Sequence, residues 1–171
     1  MKIKTLIHTA LVAEAKPIIG HFGLVCHEKQ PYNLYVGEDI VLIASGMGSQ
    51  HTQKALKYAL KLYSPQKAIN IGIAGCTNQA IPKGTLFCTT HSLFDIPFTS
   101  LNSHHEKADK HALITSTLVD MEAQTFLEMI PEGIEKYVFK IVSDHLEPTI
   151  PSKADVSAWI TKSIKYWSKY V

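Results

Sequence analysis

The sequence contains one nearly continuous apolar stretch, "KAINIGIAG" at residues 67–75. A run of this kind, without the polar–apolar alternation of a half-buried strand, is typical of a central strand covered on both faces. Helical layers commonly provide the two covers of a largely parallel sheet. The stretch therefore predicts an α/β domain with a largely parallel sheet.

The segments on either side alternate between strand and helix patterns. Strands are predicted at 3–12, 32–37, 39–45, 85–90 and 136–144, with the second and third forming a hairpin. Helices are predicted at 13–22, 49–63, 118–130 and 154–170, from the spacing of their apolar residues. This order and the length of 171 residues predict a single domain over residues 1–171.

The composition is that of a globular protein without a nucleic-acid surface. Hydrophobic residues make up 46% and charged residues 19% of the chain, which excludes a disordered type. The net charge is +2, and the 17 basic residues are scattered lysines with no arginine, so no nucleic-acid partner is expected. Because no apolar run approaches a membrane span and no leader pattern is present, we expect a cytoplasmic protein with no membrane partner.

Candidate site residues fall where the strands are predicted to end. Ligands bind at the carboxyl edge of such a sheet. Glu14 follows the first strand, "SGMGS" (45–49) joins a strand to a helix, "GIAGC" (72–76) ends the central strand, "DME" (120–122) opens a helix and "SDH" (143–145) ends the last strand. Since glycine lets backbone amides approach a ligand closely, these segments predict one cleft with acidic side chains and glycine turns.

Each of these features also has a simpler interpretation. The acids of "DME" are favoured in the first turn of a helix by the helix dipole. Glu14 can be a solvated helix residue, Gly46 and Gly48 can serve only the turn, and Asp144 can be an N-cap or a turn former. Taken one at a time, none of these features identifies a site.

Taken together and in order, five segments resemble the purine nucleoside phosphorylase and uridine phosphorylase superfamily. The resemblance is to its nucleosidase branch, the methylthioadenosine/S-adenosylhomocysteine nucleosidases. The segments are "ALVAEAKP", "VLIASGMG", "AINIGIAGCTNQAIPKGTLF", "LVDMEAQTF" and "FKIVSDH", which cover most of residues 1–90 and 115–147. The resemblance implies a three-layer nucleoside-phosphorylase-like fold in a shortened chain, with a central mixed, largely parallel sheet flanked by helices.

The resemblance implies a role in nucleoside cleavage for each acidic position. Asp144 matches the aspartate that protonates or hydrogen-bonds N7 of a purine, and Ser143 matches the serine that orients it. Glu122 matches the glutamate that binds the ribose hydroxyls, Met121 the methionine packed against the sugar, and Asp120 a neighbour that makes a weaker contact. Cleavage of an N-ribosidic bond builds positive charge on the ribose and negative charge on the base, so these groups suit the reaction.

Glu14 bears on the choice between hydrolysis and phosphorolysis. It matches the glutamate that activates water as general base in the hydrolases, whereas the phosphorylases build an arginine-rich phosphate site in that region. The absence of arginine therefore favours hydrolysis, although lysines or backbone amides can also bind phosphate. Ser45, Gly46, Ala74 and Gly75 belong to the two glycine turns, and we expect them to contact the substrate.

These matches predict an N-ribosyl hydrolase that acts on a purine nucleoside, with adenine as the expected base. Methylthioadenosine, S-adenosylhomocysteine, futalosine-type compounds and plain nucleosides all remain open as substrates. A phosphate-dependent phosphorylase and a non-catalytic nucleoside-binding protein are the alternatives. No metal or organic cofactor is implied, and the family resemblance implies a homodimer.

Residues 90–113 form a segment that does not match the family pattern. Its possible metal ligands are His91, His104, His105, Glu106, Asp109 and His111. Such side chains can bind zinc, but their spacing fits no known motif, so we expect a solvated loop without metal. Phe94 and Phe98 offer either a stacking face for a base or, in the interpretation we favour, anchors that hold the loop to the core.

Overall fold

The structure is a computed structural model, and it describes residues 3–104, 108 and 114–171. The strands are β1 (Thr5–Thr9), β2 (Val25–Glu28), β3 (Asn33–Val36), β4 (Ile40–Ala44), β5 (Lys67–Cys76), β6 (Leu86–Cys88), β7 (Leu101–Ser103), β8 (Leu118–Asp120) and β9 (Glu135–Asp144). The helices are α1 (Val12–Phe22), α2 (Ser49–Leu62), α3 (Ala123–Met129) and α4 (Lys153–Trp167), and a 3₁₀ turn (Ser168–Tyr170) follows α4. Within the described ranges, no helix has both the length and the apolar character needed to cross a membrane.

The strands form one mixed sheet in the order β2-β3-β4-β1-β5-β8-β7, and β9 pairs with both β5 and β6. β1 is parallel to β4 and β5, and β5 is parallel to β9 over most of its length. β3 and β4 form the predicted antiparallel hairpin, and β2, which was not predicted, extends it. The predicted α/β class with a mixed, largely parallel sheet is confirmed.

Helices cover both faces of the sheet and produce three layers. On one face, α1 and α4 pack against Ile69 and Ile71 of β5, and Trp167 is fully buried among them. On the other face, α2 and α3 pack against Ala68, and Phe126 is fully buried. A fully buried large apolar side chain contributes roughly 1.5–3 kcal/mol, so both faces stabilise the position of β5. The strand is covered on both faces, as its apolar run predicts.

Helix α1 continues through Pro17 because a neighbouring helix compensates for the missing donor. Proline has no N–H, so the carbonyl oxygen of Ala13, four residues earlier, loses its intrahelical hydrogen bond. The hydroxyl of Ser157 in α4 donates to this oxygen at 2.8 Å. The helix then ends at Gly23, whose φ of 62° gives a left-handed C-cap.

The prediction of a helix over residues 118–130 is wrong in its first part. Leu118–Asp120 form β8, which is antiparallel to the end of β5 and parallel to β7. Helix α3 begins only at Ala123, after Glu122 at the N-cap position. A short apolar segment fits either periodicity, and here neighbouring strand edges provide ladder hydrogen bonds. Asp120 and Glu122 therefore lie on a strand-to-helix turn.

Candidate active site

A cavity of about 290 Å³ lies at the carboxyl ends of β1, β4, β5 and β9. This is the edge at which the sequence predicted a cleft. Among the residues that the structure describes, four acidic ones line the cavity, and most of the remaining described wall is apolar. The lining residues are Ala10, Leu11, Glu14, Met47, Ile73, Ala74, Gly75, Ala108, Val119, Asp120, Met121, Glu122, Ser143, Asp144, Leu146, Ile150 and Pro151.

Three backbone N–H groups hold the carboxyl group of Glu14. Its Oε2 accepts from the N–H of Ala10 at 3.0 Å and of Leu11 at 2.8 Å, and its Oε1 accepts from the N–H of Ile73 at 2.9 Å. These contacts link the start of α1 to the end of β5. Because Glu14 is 1% exposed and bonded through both oxygens, its carboxyl has a fixed position in the cavity wall.

The environment of Glu14 brings its acid–base equilibrium close to neutral pH. Burial raises the pKa of Glu14 to about 7, although the N–H groups of Leu11 and Ile73 and the charge of Lys140 act in the opposite direction. The neighbouring Glu122 adds to the increase. A carboxyl group with this pKa is ionised in a large fraction of molecules near neutral pH and is suited to general base catalysis.

Glu122 lies beside the glycine turn that precedes α2. Its Oε1 accepts from the N–H of Gly48 at 2.6 Å. Burial raises the pKa of Glu122, and so does the charge of Asp120, while Lys140 and the N–H of Gly48 lower it. Met121 contacts the same turn: a Cβ atom at position 48 would lie 3.9 Å from Met121 Cε. The turn and the acidic segment "DME" therefore form one wall of the cavity.

Asp120 lies at the cavity wall, but its oxygens already have partners. Its Oδ2 is 2.7 Å from Nζ of Lys140 and accepts from the N–H of Ala123 at 2.8 Å, and its Oδ1 accepts from the hydroxyl of Ser103. Both side chains of the ion pair are 1% exposed. Burial favours the neutral form of Lys140, but the charges of Asp120, Glu122 and Glu14 outweigh it and raise the pKa of Lys140. The ammonium is therefore the counter-ion of three carboxyl groups.

Asp144 has a hydrogen-bonding partner on each oxygen. Its Oδ1 accepts from the N–H of Leu146 at 2.9 Å, and its Oδ2 lies 2.7 Å from the hydroxyl of Ser143, which is also 3.1 Å from the carbonyl oxygen of Ala74. A hydroxyl has a single proton to donate. Ser143 can donate to an ionised Asp144, or it can donate to Ala74 and accept the proton of a neutral Asp144. The hydrogen bonds of this pair are therefore compatible with a charged and with a neutral carboxyl group at Asp144.

The structure brings most of the predicted site residues together. Glu14, Ala74, Gly75, Asp120, Met121, Glu122, Ser143 and Asp144 line the cavity. Ser45 and Gly46 do not line it. Ser45 lies behind the turn, where its Oγ donates to the carbonyl of Gly46 at 2.7 Å and is 2.9 Å from Nε2 of His8. The cavity wall therefore does not support the prediction that Ser45 and Gly46 contact the substrate.

Three further residues shape the site, and two of them, Lys140 and Leu146, were not predicted from the sequence. The backbone of Gly48 binds Glu122, Lys140 neutralises Asp120, and Leu146 binds Asp144. Gly48 lies within "SGMGS", so the glycine pattern itself was the available signal. Lys140 is part of an otherwise apolar strand pattern, in which a lysine indicates either an edge or a buried ion pair.

The segment of residues 90–113 contributes little to the described site. His105, Glu106, Asp109 and His111 lie outside the described residues, so the possible metal cluster is only partly described. Within the described residues, no group of three or more potential ligands occurs. The ring of His91 packs against that of Tyr137 in a tilted arrangement with ring centres 4.6 Å apart, and its Nδ1 is 2.9 Å from the hydroxyl of Thr90.

The expectation that Phe94 and Phe98 anchor this segment is wrong. Phe94 is fully exposed and Phe98 is 56% exposed, and neither residue lines the cavity. Ile96, 1% exposed, enters the hydrophobic core instead, and Leu93 packs against it. A segment needs only a few buried side chains to be held, and here the aliphatic residues fill that role.

One protein-family model, described as the phosphorylase superfamily, matches residues 4–126. The chain belongs to the phosphorylase superfamily. The superfamily match includes Glu14, "SGMGS", "GIAGC" and "DME", and Asp144 lies beyond it. No curated protein sequence matches the chain.

Solved structures of similar fold include several nucleosidases. A mutant of the Helicobacter pylori nucleosidase MTAN, with 5′-methylthioadenosine in its active site, has a TM-score of 0.83 at 15% identity, over 99% of this chain and 98% of that chain. A futalosine hydrolase mutant of Helicobacter pylori has a TM-score of 0.82 at 14% identity, over 97% of each chain. The 5′-methylthioadenosine/S-adenosylhomocysteine nucleosidase of Campylobacter jejuni has a TM-score of 0.80 at 14% identity, over 98% and 97%. These similarities confirm the three-layer fold of this superfamily member.

Proposed function

We propose that the protein is an N-ribosyl hydrolase that cleaves the glycosidic bond of a purine nucleoside, with adenine as the base. The observation that carries this proposal is that Glu14, Glu122 and Asp144 line one and the same cavity. Glu14 lies against Gly72 and Ile73, and Asp144 against Gly75. Gly72 and Gly75 are three residues apart, roughly 10 Å along an extended strand, so the two carboxyl groups meet the cavity at different points of β5.

In the proposed reaction, Asp144 is the general acid and Glu14 is the general base. Asp144 donates its proton to N7 of the purine while the bond between C1′ and N9 breaks and its electron pair moves to the base. Glu14 accepts a proton from a water molecule whose oxygen bonds to C1′. The products are the free base and the ribose derivative, and the two carboxyl groups exchange protons with solvent to complete the cycle. Ser143 positions Asp144.

Glu122 is proposed to bind the 2′- and 3′-hydroxyls of the ribose. An ionised carboxylate accepts a hydrogen bond from each of the two hydroxyls and also stabilises the positive charge that develops on the sugar. Met121 packs against the sugar, and Asp120 makes at most a weaker contact because its oxygens are already bonded. Ala74 and Gly75, at the end of β5, lie beside Asp144 and would contact the base.

The charges in the cavity support hydrolysis over phosphorolysis. Among the described lining residues, every ionisable side chain is an acid, and the nearby Lys140 is paired with Asp120. A phosphate dianion would therefore meet repulsion from several carboxyl groups with no arginine to bind it. Methylthioadenosine, S-adenosylhomocysteine and futalosine-type compounds are the substrates to test, since proteins of similar fold carry these names. We further propose that the enzyme is a cytoplasmic homodimer that needs no cofactor.

The test is release of base from this panel of nucleosides, with and without phosphate, measured by chromatography. We expect release that does not depend on phosphate, and loss of that release in Asp144→Asn and Glu14→Gln. Asp95→Asn and Glu128→Gln are the matched controls, because their side chains lie outside the cavity.

Other outcomes of this test contradict parts of the proposal. Release that requires phosphate and yields ribose 1-phosphate would make the protein a phosphorylase. Thermal stabilisation by adenine nucleosides without any release would make it a non-catalytic binding protein. Unchanged release in both site variants would show that the assignment of acid and base is wrong.

A further inference from the structure

Leu146 has an unusual backbone conformation at the end of the cavity. Its φ is 62°, and it is the only non-glycine residue of the described chain with a positive φ. Leucine disfavours this left-handed region because its Cβ approaches the following carbonyl oxygen. Such outliers persist where the surrounding structure holds them, and they concentrate at functional sites.

The backbone of Leu146 explains why the conformation is retained. Its N–H turns back to donate to Oδ1 of Asp144 at 2.9 Å, two residues earlier. A glycine or an asparagine would adopt this turn with less strain. The presence of leucine therefore calls for a contribution from the side chain.

The side chain of Leu146 is 93% buried and fills space beside the proposed acid. A Cβ atom at position 75 would lie 2.8 Å from Leu146 Cδ2 and 3.3 Å from Oδ1 of Asp144, so Leu146 and Asp144 both lie directly over Gly75. All three residues line the cavity, whereas the carboxyl of Glu14 lies three residues back along β5, against Gly72. The isobutyl group thus reduces the free volume at the Asp144 end alone.

We propose that Leu146 is a specificity-determining residue, whose side chain limits the size of the base that can be placed against Asp144. This inference rests on the proposed function, in which Asp144 contacts N7 of the purine. The groups next to N7 on the purine are the hydrogen at C8 and the substituent at C6, so bulk at these two positions meets Leu146. The site accepts a 6-amino group and excludes larger substituents.

The test compares an adenine nucleoside that the enzyme cleaves with its N6-benzyl derivative. In Leu146→Ala and Leu146→Gly, we expect the ratio of kcat/KM for the N6-benzyl compound to that for the parent to rise at least about tenfold, since a methylene-sized change in an apolar pocket alters discrimination about 10–200-fold. Leu146→Met, of similar volume, keeps the original ratio. Leu11→Ala is the matched control, because this leucine lines the same cavity at the Glu14 end and should not alter the preference for base size.

A second measurement separates this inference from the proposed function. Binding of adenine and of N6-benzyladenine is measured by calorimetry for the same proteins, and the affinity ratio should shift in the same direction. A shift in binding without any turnover would support the role of Leu146 and contradict hydrolysis. The role of Leu146 would be overturned if neither Leu146→Ala nor Leu146→Gly changed the ratio between the N6-benzyl compound and its parent. It would also be overturned if Leu11→Ala changed this ratio equally, or if none of the proteins bound either base.

Discussion

A carboxyl group acts as a general base only over the pH range in which it is ionised. Because burial raises the pKa of Glu14 to about 7, the ionised form that the proposed mechanism requires declines as the pH falls through that value. We therefore expect the acid limb of the profile to lie near pH 7. Below that pH, kcat/KM should fall about tenfold per pH unit, and above it this ionisation should no longer change kcat/KM. A pH–rate profile on the preferred nucleoside measures this limb.

Glu128→Gln serves as the control for this profile, since Glu128 is exposed and lies outside the cavity. Its acid limb should coincide with that of the parent protein. A limb centred near the ordinary pKa of a solvated glutamate would mean that Glu14 is not the base whose ionisation limits the rate.

Individual site residues were predictable where their position along the chain carried the information. Glu14 follows one predicted strand and Asp144 ends another, and strands of a parallel sheet end at one edge, so their proximity follows from local patterns. The ion pair of Lys140 joins it to Asp120, twenty residues earlier, and no local pattern indicates that pairing. The left-handed backbone of Leu146 contradicts the preference of its residue type, so only the structure reveals it.

At the scale of elements, Gly72 of β5 has no side chain, and this leaves room for the carboxyl group of Glu14 in α1. A Cβ atom at position 72 would lie 2.9 Å from Oε1 and 3.3 Å from Cδ of Glu14. In Gly72→Ala we expect the carboxyl group to be displaced from its three N–H donors and kcat/KM to fall about a hundredfold, because displacements near 1 Å in an active site have costs of this size. Steady-state kinetics measures the effect.

Gly20→Ala is the matched control for this substitution. Nothing lies within 4 Å of a Cβ atom at position 20, and the residue is inside α1. Alanine there should increase the free energy of unfolding by about 0.5–1 kcal/mol and leave the kinetics unchanged. Full activity in Gly72→Ala would show that Glu14 does not need its present position.

The ion pair between Lys140 of β9 and Asp120 of β8 joins two elements through buried charges. Removal of one partner leaves the other charge buried and unpaired, so Lys140→Met should lower the free energy of unfolding by about 3–5 kcal/mol. Lys140→Arg keeps a positive charge and should lower the free energy of unfolding much less. Denaturant unfolding of these variants, and of Lys140→Met combined with Asp120→Leu, measures the effect. The double variant should recover part of the loss, because Asp120 is no longer left unpaired while Glu14 and Glu122 still lack the charge of Lys140. A loss equal to that of Lys140→Met would contradict the electrostatic explanation.

The elements were predictable in proportion to their length and periodicity. α2 and α4 have strong apolar stripes over several turns, and they lie within one residue or a few residues of their predicted bounds. The strands β2, β7 and β8 have only three or four residues each, and β8 pairs with β5, which is distant in the chain. For such short strands the ladder hydrogen bonds of the sheet decide the structure, and local propensity does not.

At the scale of the whole molecule, the apolar run predicted the central strand, and the order of strands and helices around it predicted the α/β class. A strand covered on both faces requires two helical layers, and the clusters on the two sides of β5 provide them. The chain folds around this strand, and the glycines near its end, Gly72 and Gly75, leave the space in which Glu14, Asp144 and Leu146 meet the cavity. The same segment therefore determines the layering of the fold and the room available in the site.

Apolar side chains are exposed at the mouth of this cavity. Met47 and Ile150, which both line it, are 60% and 82% exposed. A dimer that buries this rim would remove apolar area from water and restrict the entry of solvent to the site. We therefore predict that sedimentation equilibrium gives twice the monomer mass, and that Ile150→Lys at the rim weakens association while Leu62→Lys, at an exposed position on α2, does not. A monomer mass at all accessible concentrations would contradict the homodimer, and a dimer equally stable in both variants would place its interface away from the cavity.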